Sequence, residues 1–526
     1  MNNKKEIVST HKKNSKKRNI IIAVILIILT ASLIIVFLTC NKKDNKKKED
    51  NANIKNDSKE VYQPYKMSSN GIENFDLAFL KLENEKKNTL YSPLSIKYSL
   101  AMLSEGTNGD SKKQIDELIG DYKYKKYINT ENMSFANAMF IRENFKDNIK
   151  KSYADNLSNK YDASIIYDSF ATANNLNKWV NDKTLGLIDN LFDDATVSEN
   201  DFFLVNALAI NMEWNKLIQT TTDQNDRYFV SYSHENYSTY IPVLGESEYH
   251  TMSFNNNINA KSVEIGASIN NYDIVKELGE ENIRNTISKE YEEWLAEEVC
   301  GPKESQEDVD TYVDNFIKDL NQNYKKKKSS TDFLMYNDDN IKVFAKDLKT
   351  YNQTTLQYVG IMPKNEELDS YVKNIKNTDL NDIIKNLKTI DNNNFTEGKI
   401  TKITGYLPLF KYDYQLKLKA DLEKIGITNV FDKKKADLSN ITSQKGTYIN
   451  TAEHKANIEF SNEGIKAAAA TQVGGSGAAT CAFEHLYEVP IEEIDLTFDK
   501  PYMYIIRDKN TSEIWFIGTV YEPIRQ

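Results

Sequence analysis

Hydrophobic positions along this chain recur every three or four residues in some stretches and every second residue in others, and the two periods mark different elements. Ile72, Phe75, Ala78, Phe79 and Leu82 share one helical face, and the run from Leu94 to Leu103 keeps the same period. In Asn174–Leu191 the spacing of Leu176, Trp179, Val180 and Leu187 predicts another helix. Phe202–Ile210 is apolar except for Asn206, which predicts a strand buried on both faces. Between Tyr272 and Tyr324 two stripes predict a helical hairpin. Ile283, Ile287, Tyr291 and Leu295 form the first; Tyr312, Val313, Phe316, Ile317 and Leu320 form the second, beyond the breaker at Cys300, Gly301 and Pro302. Nothing else in the sequence pairs with these stripes, so the hairpin is expected to be self-contained. Lys399–Tyr412, Tyr448–Phe460, Met503–Arg507 and Ile514–Val520 alternate as strands do, the last two around a turn at Asp508–Ser512. Helices and strands mixed without regular alternation predict an α+β fold.

Ahead of these elements stands a different pattern. Ile20–Cys40 is almost wholly aliphatic. As a helix, about 21 residues span roughly 31 Å, close to the hydrocarbon thickness of a bilayer. The apolar part of a cleaved leader is shorter, about 7–15 residues. Lys4, Lys5, Lys12, Lys13, Lys16, Lys17 and Arg18 precede it, whereas the lysines after it are diluted by Asp44, Glu49 and Asp50. That asymmetry places residues 1–19 as a basic cytoplasmic tail and 20–40 as a single-pass membrane anchor, with the bulk of the chain outside the cytoplasm. Acylation of Cys40, giving a lipid anchor, is the rival reading. Residues 41–66, rich in Lys, Asn, Asp and Ser, read as a disordered linker to a folded domain over 67–526.

Charge and composition narrow the chemistry. A net charge of −10 over 526 residues excludes nucleic acid as the main partner, because phosphate binding needs clustered cations. The basic runs Lys12–Arg18, Lys46–Lys48 and Lys325–Lys328 read as solvated segments. Cys40, Cys300 and Cys481 form neither a disulfide framework nor a metal motif. Five histidines lie at no ligand spacing, and Asp308–Asp314 lacks the glycine and glutamate of a calcium loop, so no metal or cofactor is expected. There is no Gly-x-Ser-x-Gly elbow and almost no histidine to serve as base, so the chain does not read as a hydrolase.

A series of motifs, in order, resembles one family. Asn88, Ser92, Pro93, Ser95 and Ile96, then Ala101, Met102 and Gly106, are similar to the opening of the buried second helix of the serpins. Leu176, Asn177, Trp179, Val180, Thr184, Gly186 and Ile188 resemble another serpin helix. Leu204–Ala207 followed by Trp214 resembles the family's central strand, and Leu407, Pro408, Phe410, Leu422, Gly426, Phe431 and Ala436–Ser439 its later flanks. His454 precedes Gly464 at the family's spacing. Phe498, Asp499, Lys500 and Pro501 lead to Phe516 and Gly518 as in the C-terminal strands, with Tyr502 where the family has Phe. The resemblance runs from about Met67 to Pro523, and the chain is longer than usual between Trp214 and Met362. That extra length is placed at about 255–335, where the hairpin falls. With the anchor, the resemblance implies a membrane-tethered bacterial serpin, acting as a monomer, with one large main sheet and smaller ones. It also implies that Ser92, Pro93, Ser95, Asn206, Trp214 and His454 form the hydrogen-bonded ground beneath and at the mouth of the sheet. Taken alone, Asn88, Ser92, Ser95, Asn206 and His454 read as satisfied polar groups in a core.

Glu463, Gly464, Ile465, Lys466, Ala467, Ala468, Ala469, Ala470 and Thr471 resemble the hinge of the serpin bait loop, which is placed at about 464–498. As a strand, Ile465, Ala467, Ala469, Thr471 and Val473 share an uncharged face, while Lys466, Ala468, Ala470 and Gln472 share a small or polar one. No proline occurs before Pro490, so each amide can join a ladder. Without the flanking motifs the alanine run reads equally as helix or linker. The resemblance implies suicide inhibition: a serine or cysteine protease forms an acyl-enzyme on the loop and is trapped as the cleaved loop enters the sheet. Ile465 stands where the family has Thr or Ser. Counting forward from Gly464 puts the scissile bond at Ala478–Ala479, and Phe483–Glu484 is an alternative. A non-inhibitory serpin serving as a surface binding or adhesion module is the competing reading.

Overall fold

Ser92 opens the helix that carries the centre of the molecule. Its Oγ accepts the Ser95 N–H at 3.1 Å, and Pro93, which has no N–H to leave unpaired, takes the first helical position of α1 (Pro93–Gly106). Leu94, Ile96, Leu100 and Met102 are buried, and so is Lys97, whose ammonium lies 3.0 Å from Asp76 and 3.8 Å from Glu513. A charge this deep is retained only because carboxylates surround it. The chain divides into Met1–Tyr62 and Gln63–Gln526. This computed structural model describes residues 75–120, 125–218, 228–241, 246–296, 308–323, 330–465, 483, 485 and 487–525, all in the second unit. Ile20–Cys40 and Ile72 lie outside the described residues, and among those described no helix is long and apolar enough to cross a membrane.

Three strands, β1 (Met133–Arg142), β2 (Ser164–Asp168) and β3 (Phe202–Ile210), form one half of a sheet in the order β2–β1–β3. The apolar run predicted for β3 is buried on both sides for two reasons. Leu208 and Ile210 face the main core, while Phe203 and Val205 meet Leu176 and Val180 of α2 (Asn174–Lys183) on the outer face. That helix ends before the predicted Leu191, because Leu185 and Gly186 take the left-handed conformation (φ 56° and 75°) and turn the chain out of it.

After Asn211 the chain continues as β4 (Met212–Glu213), then, among others, β5 (Ser262–Asn270), β6 (Ile400–Pro408), β7 (Phe410–Leu416), β8 (His454–Phe460), β9 (Gly464–Ile465) and β10 (Ile491–Asp495). The order β7–β8–β9–β4 makes the second half-sheet, and β10–β6–β5 makes a smaller one. A seven-stranded sheet runs from Thr89–Tyr91 through Ile514–Val520, Tyr502–Asp508, Leu356–Pro363, Ile341–Asp347 and Ser330–Asn337 to Lys388–Asp391. The predicted strand pair at the C-terminus forms its second and third strands, and Tyr448–Phe460 shortens to β8. The predicted hairpin is present as α3 (Glu280–Ala296) and α4 (Val309–Asn323), with the breaker at 300–302 outside the described residues. It is not self-contained: Ile283, Ile287, Val313, Ile317 and Leu320 share their core with Ile400 of β6. The extra length is also narrower than 255–335, since β5 pairs with β6 along its whole length and belongs to the sheet.

Candidate functional site: the opening in the main sheet

Two half-sheets meet at one end only. There β9 lies between β8 and β4, the short strand that follows directly on β3: Ile465 pairs with Phe460 of β8 on one side and with Met212 of β4 on the other, and Gly464 pairs with Glu213. Below this point β3 and β8 share no ladder, although both are fully described. Between them lies a cavity of about 270 Å³, lined among others by Ser95, Phe203, Asn206, Ala452 and His454. A smaller recess nearer the mouth is bounded by Ile210, Ile458, Ile465 and Leu187.

The mouth is held by backbone contacts. The Trp214 N–H donates to the Glu463 carbonyl at 2.9 Å, and its indole Nε1–H donates to the Ser461 carbonyl at 2.9 Å. The indole is fully buried, edge-on to Phe460 and Tyr358. Ser461 closes the turn into β9: its N–H and hydroxyl both donate to the Gly464 carbonyl, and its Oγ accepts from the Glu463 and Gly464 N–H groups. Gly464 is required by space. A Cβ there would stand 2.3 Å from the Met212 carbonyl oxygen and 2.6 Å from the Glu213 Cα, so only a hydrogen fits against β4. Ile465 is 2% exposed, so its aliphatic side chain is inward as its face predicts.

The floor is built where β8 begins. His454 is buried, and its Nε2 accepts the Ser92 N–H at 3.0 Å. Burial away from water disfavours the imidazolium and lowers the His454 pKa to about 4, so the ring is neutral and its lone pair is available to Ser92. Asn206 donates from Nδ2 to Asn137 Oδ1 at 2.7 Å, and Asn137 donates in turn to the Tyr161 carbonyl at 2.8 Å. The Asn206 Oδ1 is buried with no hydrogen-bond partner among the described residues.

Ser95, Asn206 and His454 therefore line one cavity, with Ser92 bonded to His454 and Pro93 next to it at the head of α1, while Trp214 stands apart at the mouth. Asn88 does not join them. Its amide holds the C-terminal segment instead, accepting from the Tyr521 and Glu522 N–H groups and donating to the Glu522 carbonyl. Ser461 and Asn137 were not legible in sequence; a serine before a glycine turn and one asparagine in a long strand carry no spacing signal. Of the hinge, Glu463, Gly464 and Ile465 are described; Ala467, Ala468, Ala469, Ala470 and Thr471, the pair Ala478 and Ala479, and Glu484 lie outside the described residues. Phe483 is described and half-buried, packed with Tyr487 and Val489 on the core shared by α3 and α4.

A family model described as Serpin (serine protease inhibitor) matches residues 74–275 and 306–523. The chain belongs to the serpin family. The stretch between the two matched segments covers the whole of α3, so that helix is an addition to the shared serpin body. An uncharacterised serpin-like protein of Methanosarcina acetivorans is 24% identical over 493 residues, spanning 89% of this chain and 88% of its own. The human leukocyte elastase inhibitor is 28% identical over 224 residues, 40% of this chain and 55% of that protein. Among solved structures, the thermophilic serpin tengpin in its native state has a TM-score of 0.53 at 21% identity, covering 85% of this chain and 92% of its own; it supports the α+β serpin fold. The family to which this serpin belongs is one of protease inhibitors rather than enzymes. Among its described residues, no group of three His, Cys, Asp or Glu side chains is placed to hold a metal ion.

Proposed function

We propose that this serpin traps serine proteases by taking its own cleaved bait loop into the main sheet as a new central strand, with cysteine proteases as a secondary class of target. The observation that carries the reading is β9: one pair of residues of such a strand is already in place between halves that are unpaired below it. Extending both registers residue by residue sets Ala467 between Ile458 and Ile210, Ala469 between Ala456 and Leu208, and Thr471 between His454 and Asn206. The inward face then meets buried apolar side chains first. Thr471 arrives at the floor of the cavity, where its hydroxyl has the Asn206 Oδ1 as an acceptor.

Chemically, the protease's serine Oγ attacks the scissile carbonyl, the nitrogen of the next residue leaves as a new amino terminus, and an ester joins inhibitor and enzyme. Cleavage frees the hinge, whose amides gain ladder partners on both sides as the strand enters. The bound enzyme is carried along before water hydrolyses the ester. Incubation with a panel of serine and cysteine proteases should give a complex stable to SDS, with the loop's C-terminal fragment released from it. Complete cleavage with every enzyme and no such complex would leave the protein a non-inhibitory binding module.

The Ile20–Cys40 run supports a tether that holds the inhibitor on the outer side of a membrane. The full chain should stay with the membrane pellet after alkaline carbonate extraction, and recovery in the supernatant would contradict the tether. Mass spectrometry of the mature chain separates the two forms of anchor, since an acylated N-terminal Cys40 marks the lipid form.

A further inference from the structure

The hairpin, whose helix α3 is added to the shared serpin body, grips the segment it stands beside. Phe483 sits in an aromatic box: its ring centroid is 5.4 Å from Tyr291, 5.6 Å from Tyr312 and 6.1 Å from Trp294, edge-on to each. Tyr291 and Tyr312 are themselves stacked at 3.9 Å, one from each helix, so the box has a rigid floor. The Tyr312 hydroxyl also donates to the Phe483 carbonyl at 3.4 Å. Two residues on, His485 Nδ1 is 2.6 Å from a Glu290 carboxylate oxygen, and its ring lies against Phe316 and Tyr487. Tyr487 meets Phe316 in turn, and Val489 packs on the same core. Phe483, His485, Tyr487 and Val489 are alternate positions, the period of an extended chain with one face bound. The next residue, Pro490, accepts the Ile400 N–H at 2.9 Å, and β10 then pairs in parallel with β6.

We propose that α3 and α4 form a clamp on the C-terminal flank of the bait loop, and that the clamp selects proteases accepting a small side chain at the cleaved bond. The proposal deepens the inhibitor reading above and rests on it for its biological meaning. A protease needs several residues of extended, accessible chain to fill its cleft, and a side chain enclosed by three aromatic rings is withheld from its pocket. Between Ile465 and Glu488 the aromatic residues are Phe483 and Tyr487, and both are held by the hairpin. The stretch left to be cut, from Val473 to Ala482, contains only Val, Gly, Ser, Ala, Thr and Cys. The clamp thus removes the aromatic sites that a chymotrypsin-like enzyme would choose and leaves the small residues that an elastase-like enzyme accepts. It also excludes Phe483–Glu484 as the working bond and favours one upstream, as at Ala478–Ala479.

The test compares the native full-length chain with a synthetic peptide spanning residues 478–490, which has the same bonds and no hairpin. Chymotrypsin and pancreatic elastase are the probes, and fragments are mapped by mass. The proposal expects chymotrypsin to cut after Phe483 and Tyr487 at least ten-fold more slowly in the protein than in the peptide, while elastase cuts the protein upstream of Phe483. Tyr291→Ala with Tyr312→Ala should restore chymotryptic cutting after Phe483; because the peptide comparison needs no variant, a misfolded double mutant leaves the test intact. Equal chymotryptic rates in native protein and peptide overturn the clamp, as does an SDS-stable chymotrypsin complex formed at Phe483, which would leave the inhibitor reading standing. Protection at Phe483 with elastase cleavage but no covalent complex would sink the inhibitor reading and keep the clamp.

Discussion

His454 concentrates the residue-scale argument. Its neutral ring is held by burial and by the Ser92 N–H, and its pKa falls from the ordinary 6.5 to about 4. Below pH 6.5 the unfolded chain takes up a proton that the folded chain refuses, so stability is full above pH 6.5 and is lost as pH falls towards 4. Between pH 7.5 and 5 the loss amounts to about 2 kcal/mol from this one group. A His454→Gln variant, which keeps an acceptor for Ser92 but does not titrate, should lose correspondingly less over that interval in urea unfolding. Parallel losses in the two proteins would show that His454 is not the group responsible. In sequence the residue was legible through its distance from Gly464, but its partner was not. The Ser92 amide is 362 positions away in the chain, and only folding brings it to the ring. Gly464 was singled out in sequence by its spacing from His454, whereas the reason a glycine stands there, the Met212 carbonyl across the ladder, belongs to tertiary structure.

At the scale of elements, pattern and structure agree where one physical demand dominates. α1 and β3 are apolar through most of their length because the core meets them on more than one side, and both were read within a few residues. The C-terminal pair, buried throughout, was equally plain. The reading failed at ends and at partnerships. Leu187 kept the helical period past the end of α2, since a left-handed turn at Leu185 and Gly186 breaks the helix without disturbing the spacing of apolar residues. The apolar stripes predict the helices α3 and α4 but name no partner for them beyond each other. Their further partners are Ile400 and the alternate residues Phe483 to Val489, which carry no helical period and lie far along the chain. Phe483 drew notice as a bond to be cut; its enclosure by Tyr291, Trp294 and Tyr312 could be seen only in three dimensions.

For the whole molecule the central claim is that cleavage turns two half-sheets into one. The register that begins at Ile465 makes this specific to single side chains. At full entry Ala469 faces inward between Ala456 and Leu208, both buried, whereas Ala470 falls between the buried Ala207 and Lys455, which is half-exposed. An aspartate at 469 would be an unpaired carboxylate in the core, costing several kcal/mol even after relaxation; at 470 it would have a lysine beside it. The intact proteins should fold alike, because neither position need be in the sheet before cleavage. The decisive measurement is the number of moles of inhibitor consumed per mole of protease blocked, taken side by side for the parent protein, Ala469→Asp and Ala470→Asp. Strand insertion predicts that Ala469→Asp becomes mainly a substrate, with this ratio rising ten-fold or more, while Ala470→Asp stays close to the parent. Equal ratios for the two variants would contradict insertion of the loop in this register.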